Sequence, residues 1–129
     1  MKIEFVPLWD IERRWPEAAP FLQLPLARQS AMSLDSVFQD CKRGKFHLWI
    51  IPEKAAFVTE IQQYPQERIC MIVLCGGEGM QEWVPDADAT LSRYAVSMGC
   101  NAMMIVGRRG WSAVAPAYRV QDTVMRKQL

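Results

Sequence analysis

Residues 68–80 read RICMIVLCGGEGM, an almost continuous apolar run that leads into a cluster of glycines. The part from Arg68 to Leu74 has no alternating polar face, so it predicts a central strand that is buried on both sides. The part from Cys75 to Met80 predicts a tight turn, because glycine adopts backbone angles that other residues avoid.

A helix and a second buried strand follow the glycine turn. Residues 81–98 carry apolar side chains at helical spacing, and Gly99 is suited to end the helix. Ala102 to Val106 is a second apolar run, short enough for a strand. Strand, helix and strand in this order predict a right-handed crossover between two parallel strands.

Two further strands precede the central one and are joined to it by short turns. Phe46 to Ile51 is the first, and Ala55 to Tyr64 is the second. Pro52-Glu53-Lys54 lies between them, and Pro65-Gln66-Glu67 leads into the central strand. Such short turns between consecutive strands predict an antiparallel meander.

The first part of the chain predicts an edge strand and a helical region that prolines interrupt. Lys2 to Leu8 alternates apolar and polar residues and predicts a strand that ends at Pro7. Asp10 is suited to cap a helix that begins at Ile11. Proline lacks an N–H donor and clashes with the preceding turn, so the prolines at positions 16, 20 and 25 predict short helical pieces rather than one rod.

A cleaner helix follows Ser33, which can cap it. Its predicted apolar face consists of Leu34, Val37, Phe38 and Cys41. Gly44 can end this helix in a left-handed conformation.

The end of the chain predicts a basic turn, a short helix or loop, and a closing strand. Gly107 to Gly110 is the turn, Trp111 to Ala117 is the short segment, and Thr123 to Met125 is the centre of the strand. Together the elements predict an α/β fold in a single domain, residues 1–129, with a mixed sheet and helices on both faces.

Composition limits the classes of function. The chain has 129 residues, of which 50% are hydrophobic, and a formal net charge of +1. A charge this small predicts neither a nucleic-acid partner nor a membrane-surface partner. Four cysteines without a C-x-x-C pair, together with one histidine, predict no metal site. The sequence shows no signal-peptide pattern and no apolar run of membrane-spanning length, so we expect a cytoplasmic protein with reduced thiols.

The element order resembles that of the GCN5-related N-acetyltransferases. In that family a Gln/Arg-x-x-Gly-x-Gly/Ala loop follows the fourth strand, and its backbone amides bind the pyrophosphate of acetyl-CoA, as free amides at a helix start favour an anion. The corresponding stretch here is Leu74 to Met80. The resemblance implies an acyl-CoA N-acyltransferase fold that binds acetyl-CoA between the two parallel strands. The cofactor-binding residues that it implies are Leu74, Cys75, Gly76, Gly77, Gly79, Met80, Arg108 and Arg109.

Charged residues near the expected site are further candidates. Arg108 and Arg109 follow the second parallel strand, at the edge where ligands bind in α/β sheets, and can bind an anion or pair with Glu78. A solvated turn is the alternative for both. Glu60, among apolar residues of the preceding strand, is the candidate catalytic base for an acceptor amine, with an outward-facing strand residue as the alternative. His47 is interpreted as a strand histidine.

The resemblance extends to small phage-encoded proteins of this fold, which have similar Gly-Glu-Gly-Met and Arg-x-Gly-Trp turns. It implies a phage or prophage origin, with action in the host cytoplasm or in a virion. The first hypothesis of function is therefore an acyl-CoA-dependent acyl transfer to an amine of unknown identity.

A second hypothesis is a cofactor-free protein of the same fold. No Gln or Arg stands ahead of the glycines, Glu78 carries negative charge where phosphates would bind, and Pro85 interrupts the expected helix. Five tryptophans provide candidate interface anchors, although each can instead fill the core. This hypothesis predicts an interaction or particle-assembly protein that forms a homo-oligomer or binds a phage protein.

Overall fold

The sheet of this protein contains five strands in chain order. The structure, a computed structural model, describes residues 2–107 and 110–129, without the side chain of Ser112. The strands are β1 Glu4–Val6, β2 His47–Ile51, β3 Ala55–Gln63, β4 Arg68–Gly77 and β5 Ala102–Ile105. β1 to β4 pair antiparallel, and β5 pairs parallel with β4, which confirms the predicted meander and the predicted parallel pair.

Helices cover both faces of the sheet, as the sequence predicts. They are a single 3-10 turn Leu8–Asp10, α1 Ile11–Leu26, α2 Leu34–Lys42, α3 Met80–Ser97 and α4 Trp111–Val114. One core lies between the sheet and α1 and α2, and a second core lies between the sheet and α3 and α4. Removal of this apolar surface from water is the main favourable term in folding. None of the described helices has the length and apolarity that crossing a bilayer needs.

α1 is one continuous helix, so the prediction of short pieces broken by proline is wrong. Pro16 and Pro20 are exposed, and water can bind the carbonyls that lose their N–H partners there. The opposite side buries Ile11, Ala18, Leu22 and Leu26. Burial of each Ile or Leu side chain contributes about 1.5–3 kcal/mol, which offsets much of the cost of about 3 kcal/mol per interior proline.

α2 and its cap agree with the prediction. The hydroxyl of Ser33 accepts a hydrogen bond from the amide of Ser36 at 3.0 Å, and the hydroxyl of Ser36 accepts one from the amide of Ser33 at 2.9 Å. Gly44 follows the helix with a left-handed φ of 81°. The helix therefore has the start and the stop that its sequence specifies.

β4 continues to Gly77, beyond the predicted end at Leu74. Gly76 and Gly77 are therefore strand residues that pair with alanines of β3, and Glu78 and Gly79 form the turn. Gly79 has a left-handed φ of 65°, a conformation that favours glycine. The predicted turn was too long because glycine is uncommon inside strands.

Close packing of α1 against β4 explains why residue 76 is a glycine. An ideal Cβ at this position would lie 2.0 Å from the carbonyl oxygen of Phe21 and 3.0 Å from Cδ of Pro25. Pro25 has no N–H to donate to the carbonyl of Phe21, so this carbonyl is free to approach the strand. The helix and the strand therefore meet backbone to backbone at this point.

The predicted closing strand around Thr123 to Met125 is wrong, because residues 119–129 are exposed and have no regular secondary structure. Immediately before them, the hydroxyl of Tyr118 donates a hydrogen bond to Asp88 of α3. This contact holds the chain over the α3 face of the sheet instead of beside β5. The tail does not pair with β5, and an unpaired segment has little tendency to form a strand.

We expect Gly76→Ala to lower the free energy of unfolding by about 1–3 kcal/mol, because the added methyl group collides with a backbone carbonyl that moves only with α1. Gly110→Ala is the matched control, since an added Cβ at Gly110 has no neighbour within 4 Å. It should change stability by less than about 0.5 kcal/mol. Urea unfolding followed by tryptophan fluorescence measures both, and equal stability of the two variants would contradict the close approach.

Candidate functional site

β4 and β5 pair over only part of the length of β4. The ladder joins Ile69–Ile72 to Ala102–Ile105, whereas β4 continues from Val73 to Gly77. Among the described residues, no strand pairs with the β5 side of this extension. A slot therefore opens between the two parallel strands beyond their last paired residues.

A β-bulge marks the point at which this pairing ends. Val58 of β3 is opposite Leu74, and Thr59 is opposite Ile72, so Val73 is an extra residue in β4. A bulge bends its strand and increases the local twist. Both effects favour separation of β4 from β5 on this side of the sheet.

An apolar cavity of about 30 Å³ lies beside this slot, on the α3 face of the sheet. Residues from three strands and from α3 and α4 line it, among them Phe57, Ile72, Cys75, Trp83, Ile105 and Trp111. The rings of Phe57 and Trp83 stack with centroids 6.3 Å apart and an interplanar angle of 9°. Since one water needs roughly 10–15 Å³ by this measure, the cavity has room for about two waters or a group about the size of acetyl.

Two polar side chains lie at this cavity, and the sequence analysis missed both as site residues. The hydroxyl of Tyr118 donates a hydrogen bond to Oδ1 of Asp88 at 2.9 Å. Burial and the nearby Asp88 raise the pKa of Tyr118 above its ordinary value, so the hydroxyl keeps its proton at neutral pH. A signal for this pair was present, because Asp88 interrupts the apolar stripe that Val84, Leu91 and Ala95 form along α3.

The N-terminus of α3 follows directly from the end of β4. Gly79 is its N-cap residue, and no side chain caps the helix. The first amides of a helix lack partners within the helix, and with the helix dipole they favour an anion. Lys54 lies near this helix start, where its Nζ forms an ion pair at 3.3 Å with the carboxylate of Glu82 in the first turn, so the pair adds no net charge. Lys54 comes from the turn between β2 and β3, and the sequence predicts it as a turn residue only, not as a site residue.

Two hydrogen bonds hold the turn between β4 and α3. The amide of Glu78 donates to the carbonyl of Lys54 at 2.9 Å, and Nε1 of Trp83 donates to the carbonyl of Glu78 at 2.7 Å. Both bonds use the backbone of Glu78, and its side chain is exposed. The carboxylate is thus close to the helix start, where negative charge competes with any anionic ligand.

The structure separates the predicted cofactor-binding residues between the two faces of the sheet. Leu74 is buried in the core on the α1 side, whereas Cys75 lines the cavity on the α3 side. Burial raises the pKa of the Cys75 thiol to about 12, so it is a poor nucleophile at neutral pH. Met80 is the first residue of α3 and packs against the core on the α3 side. Of the predicted glycines, Gly76 and Gly77 lie in β4, and Gly79 is the N-cap residue of α3.

The charged candidates lie apart from the cavity or outside the described residues. Glu60 is half-buried and accepts a hydrogen bond from Nε2 of Gln62 at 2.9 Å. By strand alternation it shares the α1 face of the sheet with Val58, whereas the cavity is on the α3 face. Arg108 and Arg109 lie outside the described residues.

His47 belongs to an aromatic cluster that packs against Tyr94, in the C-terminal half of α3. Its Nδ1 and the hydroxyl of Tyr94 form a hydrogen bond, and its ring contacts Phe5 edge to face with centroids 5.7 Å apart. Tyr94 also packs edge-on against Trp49, with ring centroids 4.9 Å apart. Burial lowers the pKa of His47 below its ordinary value, so the neutral ring is the form that the fold accommodates.

Comparison with known proteins identifies the fold. No family model matches this chain, and no curated protein matches its sequence. An aminoglycoside N-acetyltransferase in complex with CoA matches with a TM-score of 0.70 and 11% identity, over 98% of this chain and 93% of its own. An aminoglycoside acetyltransferase from an uncultured soil metagenomic sample matches with a TM-score of 0.69 and 10% identity, over 99% and 95%.

A GNAT family acetyltransferase of Staphylococcus aureus gives a similar result, with a TM-score of 0.67 and 11% identity over 99% of this chain and 98% of its own. Identities this low establish the fold and nothing more specific. The chain therefore has the mixed α/β fold of the GCN5-related N-acetyltransferases, which confirms the predicted fold class.

We expect the stability of the protein to fall as the pH drops below about 6.5, the ordinary pKa of histidine. The unfolded chain then takes up a proton that buried His47 resists, so the free energy of unfolding decreases until the lowered folded pKa is passed. His47→Gln removes this contribution and should flatten the change. Urea unfolding at about pH 7.5 and about pH 5.5 measures both proteins. Equal losses of stability in the two would show that His47 titrates as it does in the unfolded chain.

Proposed function

We propose that this protein transfers a short acyl group from an acyl-CoA to a primary amine. The observation that carries the proposal is the slot between β4 and β5, which borders an apolar cavity and leads to a helix N-terminus without a side-chain cap. An acyl-CoA needs both features, because its pantetheine arm is uncharged and its pyrophosphate is anionic. The small cavity favours acetyl over longer acyl groups.

The backbone of β4 supplies the polar contacts of this proposal. Beyond Ile72, amides on the β5 side of the strand have no strand partner among the described residues, so amides near Leu74 to Gly76 can hold the pantetheine arm and the thioester carbonyl. A donor aimed at a carbonyl oxygen also stabilises the negative charge that forms when an amine attacks. The nitrogen–carbon bond forms, the carbon–sulfur bond breaks, and the sulfur leaves as a thiolate.

Two side chains are proposed to move protons in this reaction. Tyr118 lines the cavity and is protonated at neutral pH, and it is proposed to protonate the thiolate that leaves. Glu60, or a water, is proposed to take the proton from the acceptor amine. Because Glu60 lies on the opposite face of the sheet from the cavity, this role requires the acceptor to approach from the α1 side.

The proposal includes a phage-encoded origin and action in the host cytoplasm. It rests on the resemblance of the Gly-Glu-Gly-Met and Arg-Arg-Gly-Trp turns to those of small phage proteins of this fold. The proposal names no class of acceptor amine, because the lining of the cavity is apolar apart from Asp88 and Tyr118.

The exposed Trp9 favours a second candidate function, a cofactor-free protein that binds a macromolecular partner. Trp9 is 84% exposed, and Leu8, its neighbour in the chain, is exposed as well. An exposed group of large apolar side chains is typical of an interaction surface. The exposed carboxylate of Glu78 fits this candidate, because it would repel an anionic cofactor. The helix N-terminus without a side-chain cap and the apolar cavity fit acyl-CoA binding better.

Titration calorimetry with acetyl-CoA tests the first function, and Glu78→Gln sharpens the test. Loss of the carboxylate should tighten binding about two- to fivefold, equivalent to about 0.3–1 kcal/mol at a helix N-terminus. Glu67→Gln, in the turn at the opposite end of β4, is the matched control and should leave the affinity unchanged. Absence of binding to the wild-type protein at millimolar acetyl-CoA removes the acyl-transfer function and leaves the partner-binding one.

Tyr118→Phe tests the proposed proton donor. In an assay of CoA thiol release with polyamines, aminoglycosides and lysine peptides as acceptors, we expect its turnover to fall at least about tenfold, while acetyl-CoA binding changes little. Tyr64→Phe is the control, since Tyr64 lies in the turn between β3 and β4, where its hydroxyl bonds to Gln62. Equal turnover by the two variants would show that Tyr118 only fills space.

A further inference from the structure

β5 is an outer strand of the sheet, and its free edge is unprotected. Residues Ala102–Ile105 contain no charge, proline or bulge, and Val106 after them is 55% exposed. Among the described residues, no strand pairs with this edge. Unpaired N–H and C=O groups along an apolar edge are a template for another strand.

The opposite edge shows how the same chain blocks strand addition. β1 has only three residues, and Pro7 follows it. Lys2 and Glu4 form an ion pair at 3.5 Å on this edge. Short length, charge and proline are the features that prevent edge-to-edge pairing. β5, with four residues, is also short, but it carries neither a charge nor a proline, so its edge stays open to the addition of another strand.

The C-terminal tail, residues 119–129, has strand-forming composition and no partner. It contains no glycine or proline, and it includes two valines and a threonine, which favour strands. Its large apolar side chains are between 66% and 105% exposed, and they are Val120, Val124, Met125 and Leu129. Among the described residues, the β5 edge and the tail both have backbone N–H and C=O groups without a strand partner. Each could therefore supply the hydrogen-bond groups that the other lacks.

The tail does not cover the β5 edge of its own chain. Tyr118 is held by Asp88 on α3, so the tail begins over the face of the sheet and not in the plane of β5. Its length is sufficient to reach another molecule, since residues 120–129 extend over roughly 33 Å, whereas a four-residue strand spans about 13 Å.

We infer that the protein forms a symmetric dimer in which the tail of each copy pairs with β5 of the other. Two equivalent exchanges close the assembly, because each copy gives one tail and receives one on the edge that it leaves open. The occupant of the β5 edge is thus a second copy of this chain. The inference rests on sheet pairing and is independent of acyl transfer.

Light scattering after size exclusion tests the exchange. We expect the full chain to be a dimer, and a chain that ends at Arg119 to be a folded monomer. Val124→Pro should raise the dimer dissociation constant at least about tenfold, because proline removes a ladder donor. Val124→Thr is the matched control, since threonine keeps the strand preference, and it should stay dimeric. Circular dichroism confirms that each variant is folded.

Hydrogen exchange identifies which tail covers β5. Protection of tail amides and of amides in β5 should rise together with protein concentration, and removal of the tail should expose β5. A full-length chain that is monomeric at millimolar concentration overturns the inference. So does a dimer that survives removal of the tail, which would point to another surface such as that around Trp9. Tail protection that does not depend on concentration would show pairing within one chain and would overturn it as well.

Discussion

The extra residue at Val73 sets the phase of the side chains along β4, and both cores depend on that phase. Ile72 contacts the core under α3, and so does Cys75, whereas Leu74 belongs to the core under α1. Regular alternation would place Leu74 on the same face as Ile72. The bulge moves it to the other face and directs the bare side of Gly76 toward α1, where the carbonyl of Phe21 approaches.

The same bulge connects the fold with the proposed chemistry. Pairing with β5 ends at Ile72, so the amides beyond it are available to a ligand, and the strand leads to the uncapped start of α3. The stacked pair of Phe57 and Trp83 forms one wall of the cavity beside this slot, and α4 and Tyr118 line it as well. An apolar surrounding strengthens an electrostatic contact made inside it, because the local dielectric is lower than that of water.

Much of the fold could be predicted from local patterns, and the site could be predicted only in part. The apolar run before the glycines gave the position of β4, and the Ser33 cap gave the start of α2, because these signals depend on neighbouring residues alone. The roles of Asp88 and Tyr118 were missed, since they become a pair only when α3 and the segment after α4 pack together. Glu60 was found as a charged residue in an apolar strand, but alternation alone did not show that the cavity lies on the other face.

The sequence by itself determined the order of the elements, the meander and the parallel pair, because hydrophobic period and turn chemistry are local properties. Only the tertiary structure decided the rest. α1 stays continuous through its prolines because its buried side packs against the sheet, and Gly76 is required by a helix that is distant in sequence. The last segment forms no strand in the single chain because a strand exists only where another strand supplies its hydrogen bonds.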